Sequence, residues 1–326
     1  MENNVILVDY DTNSDWQYLS GLNSSKLKWI VEHYPSNTLS QKKRWKYYFK
    51  IGFILFKKRN TYHRVVAIQQ FYGLLFAFFL RFFRIKKGPQ ITVTEFIYIK
   101  KKGLFGKLYH WLFKTALNYN NLDLIICLSS HEVIYYSQLF PKAKNKFQFL
   151  KIGTHNERYW PTNKGDYYLS AGSSNRDYQF LVDSFKAMPE KKLLIVCNSL
   201  NIVTPKNVTI IRNCFDKDYE KLLANCFATV LSLDDSNPVS CGQLVVCRSF
   251  AYHKPVIVTS HPGINDYVLN GINGFIISKK LDSLKQSMNE LDNPTKYAVL
   301  SNAKENEYYE YDYARKIELL IEKTQP

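Results

Sequence analysis

One short turn has the residue types and the spacing of a binding site for a diphosphate. The stretch SAGSSNRD follows an apolar run and supplies a glycine, two hydroxyls and a guanidinium: Gly172, Ser173, Ser174 and Arg176. A glycine lets the backbone turn tightly, and an arginine can donate two parallel hydrogen bonds to phosphate oxygens. We therefore predict that this turn binds an anion. The alternative is a solvent-facing loop in which Asp177 begins the next helix.

A second polar turn stands just before another predicted helix. It is made of small residues and one amide: Ser240, Cys241, Gly242 and Gln243. The free amides and the dipole at a helix N-terminus favour an anion, so we assign this turn to the same ligand. Taken alone, it also fits an ordinary connection between structural elements. Asn198, at the polar tip of the run KLLIVC, is assigned to the ligand as well.

Apolar runs of strand length alternate with helical segments along the chain. We predict strands at 4–8, 27–32, 65–69, 90–98, 122–128, 147–152, 167–171, 192–197, 208–211, 228–233, 255–259 and 274–277. We predict helices at 41–59, 72–83, 104–119, 130–139, 177–188, 216–225, 244–252 and 263–269. This alternation is typical of parallel sheets in an α/β fold. In such sheets, ligands bind beyond the carboxyl ends of the strands, where both polar turns fall.

The length of 326 residues suits two α/β domains. Residues 153–166 show no periodicity, which predicts a linker. We place the domains at 1–153 and 167–281, and we expect helices at 282–326 that pack back on the first domain.

The net positive charge is confined to the first domain. Residues 1–153 hold 24 Lys and Arg against 8 Asp and Glu, whereas the remainder holds 20 of each. No acidic residue lies between Glu32 and Glu95. Such a field predicts an anionic partner for this half.

An amphipathic helix at 41–59 is the expected contact with that partner. Its aromatic residues recur at spacings of three and four among cations, which is typical of a helix lying on an anionic membrane. We assign the contact to Lys43, Arg44, Trp45, Lys57, Lys58 and Arg59. The most apolar stretch, 65–80, is shorter than the ~20 residues that a bilayer span needs, so a buried strand and helix are expected there.

The six cysteines show no metal-ligand spacing, and no signal peptide is expected at the N-terminus. Both features favour a reducing cytosol. Asp9 and Asp11 form an Asp-x-Asp string that comes too early to hold a metal against a diphosphate. We therefore expect no metal and no cofactor, with Arg176 and helix amides neutralising the ligand's charge.

The order of these motifs resembles the donor-binding domain of the large group 1 family of GT-B glycosyltransferases. The resemblance is carried by the turn ending in Arg176, by the strand HKPVI containing Lys254, and by GINDYVLNGINGF from Gly263 to Phe275. It implies two Rossmann-like domains facing each other across a cleft. It also implies a retaining transferase that takes a sugar from a nucleotide-sugar donor.

Two positions depart from the family's pattern. Counting back from Lys254 places Ser240 and Arg248 where the family has two glutamates that contact the sugar and the ribose. A serine can still donate a hydrogen bond, and we expect Arg248 to pair with a phosphate or the ribose to be held differently. On the acceptor side, the resemblance assigns Glu95 to the sugar or the acceptor hydroxyl. His110, His131 and His155 are secondary candidates.

These features predict a transferase acting in cell-surface polysaccharide synthesis, such as that of a capsule or O-antigen. The expected partners are a nucleotide-sugar donor, a lipid-linked saccharide acceptor and an anionic membrane, on whose cytoplasmic face the protein lies. Two alternatives stay open, an inactive sugar-nucleotide-binding homologue and a nucleic-acid-binding protein. No RNA-binding signature or DNA-recognition helix is present in the sequence, so nucleic acid is not expected as a partner.

Overall fold

The chain forms two compact units. The computed structural model describes residues 3–12, 16–23, 27–36, 38–155, 158–234, 236, 239–303 and 308–324. Unit 1 comprises Met1–Leu150 and Tyr311–Pro326, and unit 2 comprises Lys151–Glu310. Each unit contains its own parallel sheet, as the alternation of strands and helices predicts.

Unit 1 is built on a six-stranded sheet. Its strands are β1 (Asn3–Val8), β2 (Trp29–His33), β3 (Tyr62–Ala67), β4 (Gln90–Val93), β5 (Leu122–Cys127) and β6 (Phe147–Phe149). They lie in the order β2-β1-β3-β4-β5-β6, and every neighbouring pair is parallel. The central strands are buried apolar runs because helices cover both faces of such a sheet.

Among the described residues, five helices of unit 1 precede the linker. They are α1 (Gln17–Leu22), α2 (Gln41–Lys57), α3 (Gln70–Phe82), α4 (Gly103–Leu117) and α5 (Ser130–Leu139), with 3₁₀ turns at Arg59–Thr61 and Pro141–Lys146. The ring of Phe53 on α2 lies 5.5 Å from that of Phe79 on α3, and Phe78 on α3 lies 5.4 Å from Trp111 on α4. Since α3 packs between two helices, its apolar composition reflects burial in the unit. Residues 65–80 are therefore the strand and helix expected from the sequence.

Unit 2 contains the second sheet. Its strands are β7 (Tyr167–Ala171), β8 (Lys192–Val196), β9 (Val208–Ile211), β10 (Ala228–Leu231), β11 (Val256–Thr259) and β12 (Phe275–Ile277). Its helices are α6 (Tyr178–Lys186), α7 (Asp216–Ala224), α8 (Gln243–Ala251), α9 (Leu281–Asp292) and α10 (Pro294–Ser301). The order β12-β11-β10-β7-β8-β9 is that of a Rossmann fold, whose strand order reverses between β7 and β10.

The helices predicted at 282–326 do not all pack on the first domain, because α9 and α10 belong to unit 2. The last helix, α11 (Glu310–Lys323), belongs mainly to unit 1. Tyr313 and Ile317 on its inner face are buried, and the ring of Tyr313 lies 6.0 Å from that of Tyr18. Gly21 on α1 allows this close approach, because a Cβ there would come within 2.5 Å of the Tyr311 carbonyl oxygen.

Several predicted ends of strands and helices shift by one to three residues, and three elements differ more. The predicted strand 90–98 ends at Val93, since Glu95 adopts a left-handed backbone conformation with φ of 52° that a strand cannot continue through. The predicted helix 263–269 is only a 3₁₀ turn, Ile264–Asp266. Helix α1, which the sequence did not predict, is short and carries no acidic or basic residue in its end turns.

Lys254, part of the HKPVI motif, is a structural residue. Its side chain is fully buried, and its ammonium group donates to the carbonyl oxygens of Asn163 at 2.6 Å and Cys226 at 2.8 Å. These bonds fix the segment that leads into β7. Burial lowers the pKa of this ammonium group.

Candidate active site

The predicted anion-binding turns lie at one edge of the unit 2 sheet. One follows β7 and the other lies between β10 and α8, and these two strands are neighbours. Two backbone hydrogen bonds join the turns: Asp177 N donates to Ser232 O at 3.0 Å, and Asp234 N donates to Asn175 O at 3.1 Å. Residues 55 and 59 positions apart in the chain are therefore held together where the strand order reverses, which is the usual ligand site of such sheets.

Arg176 is held over the turn that follows β7. Its Nε donates to Ala171 O at 3.0 Å, and its Nη1 donates to Ser174 O at 2.8 Å. The guanidinium lies against Gly172, where a Cβ would come within 2.7 Å of Nη2. Gly172 also has a φ of 111°, which side chains rarely adopt. The glycine therefore makes room for the guanidinium, whose orientation is fixed before a ligand arrives.

The rest of this turn is exposed. Ser173 and Ser174 are open to solvent, and Asn175 has a φ of 52°. Asp177 accepts a hydrogen bond from Phe180 N at 3.1 Å and so caps α6. Asp177 therefore begins the next helix, as the alternative predicted. This role is compatible with the position of Arg176 over the turn.

Helix α8 begins with a buried amide. Gly242 is its N-cap, with a φ of 87°, and Gln243 is its first residue. The Gln243 side chain is 4% exposed, yet its Nε2 has no hydrogen-bond partner among the described residues. Ser232 Oγ, after β10, is likewise buried and without a described partner. Buried polar groups are normally satisfied, so two such groups at the carboxyl edge of the sheet indicate a place for a ligand.

Sequence reasoning missed His261, which follows β11. Its imidazole is buried, and its Nε2 lies 3.8 Å from Cys241 Sγ. Thr259, at the end of the same strand, accepts a hydrogen bond from Leu233 N at 2.8 Å. The position of His261 after the PVIVT strand could have indicated it, because ligand-binding residues cluster at strand ends.

Lys279 and Asn198 lie at the same edge. The ammonium group of Lys279, after β12, lies 3.5 Å from the Asp177 carboxylate. Asn198, after β8, accepts from Asn213 N at 2.7 Å and so ties the β8 end to the β9 end. Ser240 lies before α8 and is partly buried.

In unit 1, Glu95 lies at the carboxyl edge of the first sheet. It follows β4 in a left-handed conformation and is partly buried. The next residue is anchored, since Phe96 N donates to Ile126 O at 2.9 Å. A charged residue kept in a conformation that costs about 1–2 kcal/mol is typical of a functional position.

The secondary histidines are engaged in contacts within their own units. The Nδ1 of His110 lies 3.0 Å from the Tyr98 hydroxyl, and its ring stacks on Phe140. Burial lowers the pKa of His110. The Nδ1 of His155 lies 3.1 Å from the Glu310 carboxylate. His131 stacks on Tyr135 in the first turn of α5.

The cations assigned to membrane contact have mixed environments. Lys43 is exposed, whereas Arg44 donates through Nε to Ser36 O at 3.0 Å. At the other end of α2, Lys58 lies 3.8 Å from Glu32. The ammonium of Lys57 lies 5.1 Å from the Phe53 ring, and the guanidinium of Arg59 lies 4.9 Å from the Phe56 ring.

Trp45 departs from the expectation that it reaches outward. Its ring packs 4.8 Å from Phe71 and 6.0 Å from Tyr109, so it belongs to the edge of the core. The exposed aromatic residues of α2 are instead Phe49 and Phe53.

Helix α4, predicted from the sequence as an ordinary helix, exposes several large apolar side chains. Leu104 is 85% exposed, and Phe105, Leu108 and Trp111 are also exposed. No acidic residue occurs between Glu95 and Asp123, while lysines precede and interrupt this helix. The signal was present in the stretch KKKGLFGKLYHWLFK. Within the part of the chain that is described, no helix is both long enough and apolar enough to cross a membrane.

Comparison with solved structures identifies the architecture. The structure of HepE from Anabaena, in complex with UDP and glucose, superposes with a TM-score of 0.67 over 100% of each chain at 13% identity. Sucrose-phosphate synthase from Thermosynechococcus elongatus superposes with a TM-score of 0.73 over 99% of each chain at 14% identity. The chain has the GT-B fold. The fold implied by the sequence resemblance is thus confirmed.

One curated relative matches this GT-B chain in sequence. An uncharacterized glycosyltransferase of Methanocaldococcus jannaschii is 26% identical over 205 residues, which span 60% of this chain. The chain covers about half of that relative, 55% of its length. No family model matches the sequence.

Arg248 does not make the donor contact that was expected of it in this GT-B chain. It lies in the last turn of α8, away from the amino end that carries the anion-binding amides. Its side chain is buried, its Nε donates to Glu220 Oε1 at 2.7 Å, and its Nη1 donates to His155 O at 2.8 Å. The expectation of a phosphate contact is corrected, because the guanidinium already serves a buried carboxylate within unit 2.

Proposed function

We propose that the protein is a glycosyltransferase that takes a sugar from a nucleotide-sugar donor bound to unit 2. The observation that carries this proposal is that two groups lie on turns that backbone hydrogen bonds join at one edge of the sheet. They are Arg176, held over Gly172, and the buried amide of Gln243 at the start of α8, which has no hydrogen-bond partner among the described residues. The diphosphate is expected between these groups. The M. jannaschii relative is named a glycosyltransferase, and HepE was captured with UDP and glucose, which supports this choice of ligand.

In the proposed reaction, charge develops on the departing diphosphate. The bond from the anomeric carbon to the diphosphate oxygen breaks, and the bond to the acceptor oxygen forms on the same face of the sugar. The acceptor's hydroxyl proton passes to the departing phosphate oxygen. Arg176 and the α8 amides stabilise the developing charge without a metal, because their donors are fixed beforehand. Glu95 accepts a hydrogen bond from the acceptor hydroxyl and orients it.

Thermal stabilisation by a panel of sugar nucleotides tests the donor. A ligand at 100 times its Kd adds about 2.7 kcal/mol to the stability of the folded state, so binding is visible as a raised Tm. Arg176→Ala should remove this shift and reduce turnover by about 10²–10³-fold. Arg315→Ala, an exposed arginine on α11, is the matched control. Wild-type turnover in Arg176→Ala would exclude this residue from the site.

The proposed acceptor is a lipid-linked saccharide, used in the synthesis of a cell-surface polysaccharide such as a capsule or O-antigen. The support is the cationic surface of unit 1 together with the exposed apolar residues of α2 and α4. A surface of this composition suits the interface of an anionic membrane, where each cation contributes about 1 kcal/mol. The protein is then peripheral on the cytoplasmic face of the membrane.

Flotation with vesicles tests this assignment. Binding should require anionic lipid, decrease at high salt, and weaken about tenfold in Leu108→Ser, because a buried leucine contributes about 1.5–3 kcal/mol. Leu319→Ser removes a leucine of 45% exposure on α11 and is the control. Binding to RNA or DNA without binding to vesicles would favour the nucleic-acid alternative. Stabilisation by a sugar nucleotide without transfer to any acceptor would favour an inactive homologue.

A further inference from the structure

Unit 1 contains a groove of about 500 Å³ that the proposed donor site does not use. It lies between α2 and α4, over the first turn of α3, and is lined mainly by Trp45, Tyr48, Phe71, Ile97, Ile99 and Phe105. Its volume falls in the range of small-molecule sites, about 300–1,000 Å³.

The floor of the groove is aromatic. The ring of Phe71 lies 4.8 Å from Trp45 and 5.0 Å from Tyr48, and both neighbours belong to α2. These rings pack against the core of unit 1, so the floor is present before any ligand binds.

The walls are apolar and exposed. Ile97 is 37% exposed, Ile99 is 39% exposed and Phe105 is 61% exposed. The side-chain oxygen of Gln70 is already used, since it accepts from Ile97 N at 3.0 Å. The lining has no carboxylate, so saccharide hydroxyls placed here would find few hydrogen-bond acceptors, which is costly. A hydrocarbon chain would not incur that cost.

Two cations stand among the apolar lining residues. Arg44 from α2 and Lys101 before α4 both line the groove, and the Nε of Arg44 is anchored to Ser36 O at 3.0 Å. None of the residues lining the groove is acidic. The combination fits an amphiphile that carries one anionic group and a long apolar chain.

The groove is also close in the chain to Glu95. Ile97 and Ile99 belong to the segment that leaves the carboxyl end of β4 directly after Glu95. A molecule whose apolar chain fills the groove would therefore have its polar end near the carboxyl edge of the sheet.

We propose that this groove binds the hydrocarbon chain of the acceptor lipid, with the lipid's phosphate against Arg44 and Lys101. The assignment to an acceptor rests on the proposed function, whereas the binding of an alkyl phosphate does not. The groove thus selects acceptors by their lipid, in addition to any contact with their saccharide.

Quenching of tryptophan fluorescence by a bromododecyl phosphate, below its critical micelle concentration, tests the proposal. Trp45 lines the groove, so the wild type should be quenched and Trp45→Phe should lose most of the effect. Trp111→Phe removes a tryptophan outside the lining and should keep it. Ile99→Asp should weaken binding at least tenfold, as should Phe105→Ser. Bromododecanol, which lacks the phosphate, should bind about tenfold more weakly.

Three results would overturn the proposal. These are undiminished quenching in Trp45→Phe, equal affinity of wild type and Ile99→Asp, or complete competition by inorganic phosphate or by a soluble oligosaccharide. Stabilisation by sugar nucleotides is measured separately on the same variants. If it persists while alkyl phosphate binding fails, the groove assignment is wrong and the donor assignment stands. Loss of both in the wild type would contradict the proposed function as well.

Discussion

The Nε of Arg248 lies 2.7 Å from Oε1 of Glu220, in an ion pair that joins α8 to α7. Both side chains are 9% exposed. The Tyr252 hydroxyl donates to Oε2 of the same carboxylate at 2.5 Å. Burial, together with the proximity of that carboxylate, raises the pKa of Tyr252 to about 12. The arginine that stands in place of a family glutamate is therefore part of the interior of unit 2.

Arg248→Met should lower the free energy of unfolding by about 3–5 kcal/mol, because it leaves the charge of Glu220 buried without its partner. Urea unfolding followed by circular dichroism measures the change. The double variant Arg248→Met with Glu220→Leu removes both charges and should recover much of the loss. Unchanged stability in Arg248→Met, together with loss of sugar-nucleotide binding, would instead show that the guanidinium contacts the ligand.

Gly172→Ala should impair donor binding as strongly as Arg176→Ala. The new Cβ would lie 2.7 Å from Nη2 of Arg176, and the φ of 111° would add about 1–3 kcal/mol of strain. Titration with the sugar nucleotide found by thermal shift measures the affinity.

Gly271→Ala separates backbone strain from displacement of the Arg176 guanidinium. Gly271 also has a positive φ, of 78°, but its nearest neighbour in space is Lys296 Nζ at 4.0 Å. This control should lose stability and keep its affinity for the donor. Equal affinities of Gly172→Ala and the wild type would show that displacing the guanidinium has no effect on the ligand.

Replacement of Glu95 should separate activity from stability. Glu95→Gln and Glu95→Gly are both expected to reduce transfer by about 10²-fold, because the acceptor hydroxyl loses the carboxylate that orients it, while thermal stabilisation by the donor stays intact. The left-handed backbone costs a glutamate about 1–2 kcal/mol that glycine avoids, so Glu95→Gly should be no less stable than Glu95→Gln. Normal transfer by Glu95→Gln would remove the carboxylate from the reaction.

The contact between His155 and Glu310 should make stability depend on pH. The hydrogen bond to Glu310 raises the pKa of His155 above its ordinary value, so the protonated histidine stabilises the folded state. Its contribution is fully present below pH ~6.5 and is lost as the pH rises through the raised pKa. Since the His155 side chain is 63% exposed, the effect should stay within about 1 kcal/mol.

Tm measurements from pH 5 to pH 9 on the wild type and on His155→Gln check this dependence. The difference between the two proteins should be largest at pH 5 and should shrink above pH 7. A difference that stays constant, or that grows with pH, would contradict the assigned ion pair.

The sequence by itself determined most of the fold, because its apolar runs have lengths that only buried parallel strands and amphipathic helices satisfy. The run from Asn4 to Val8 and the run LDLIIC needed no tertiary information. The tight turn after β7 was also predictable from Gly172, whose φ is positive, whereas the binding of a ligand by Arg176 stays a prediction. The motif around Lys254 indicated the architecture, although the lysine itself turned out to hold backbone carbonyls.

The tertiary structure decided what depends on partners distant in the chain. Arg248 is a buried ion-pair residue only because Glu220, 28 positions earlier, is folded against it. Trp45 belongs to the core edge because α3 and α4 pack beside α2, and the same packing leaves Leu104 and Leu108 outside. Composition and periodicity report that a helix has an apolar face, but the neighbouring elements determine whether that face is covered.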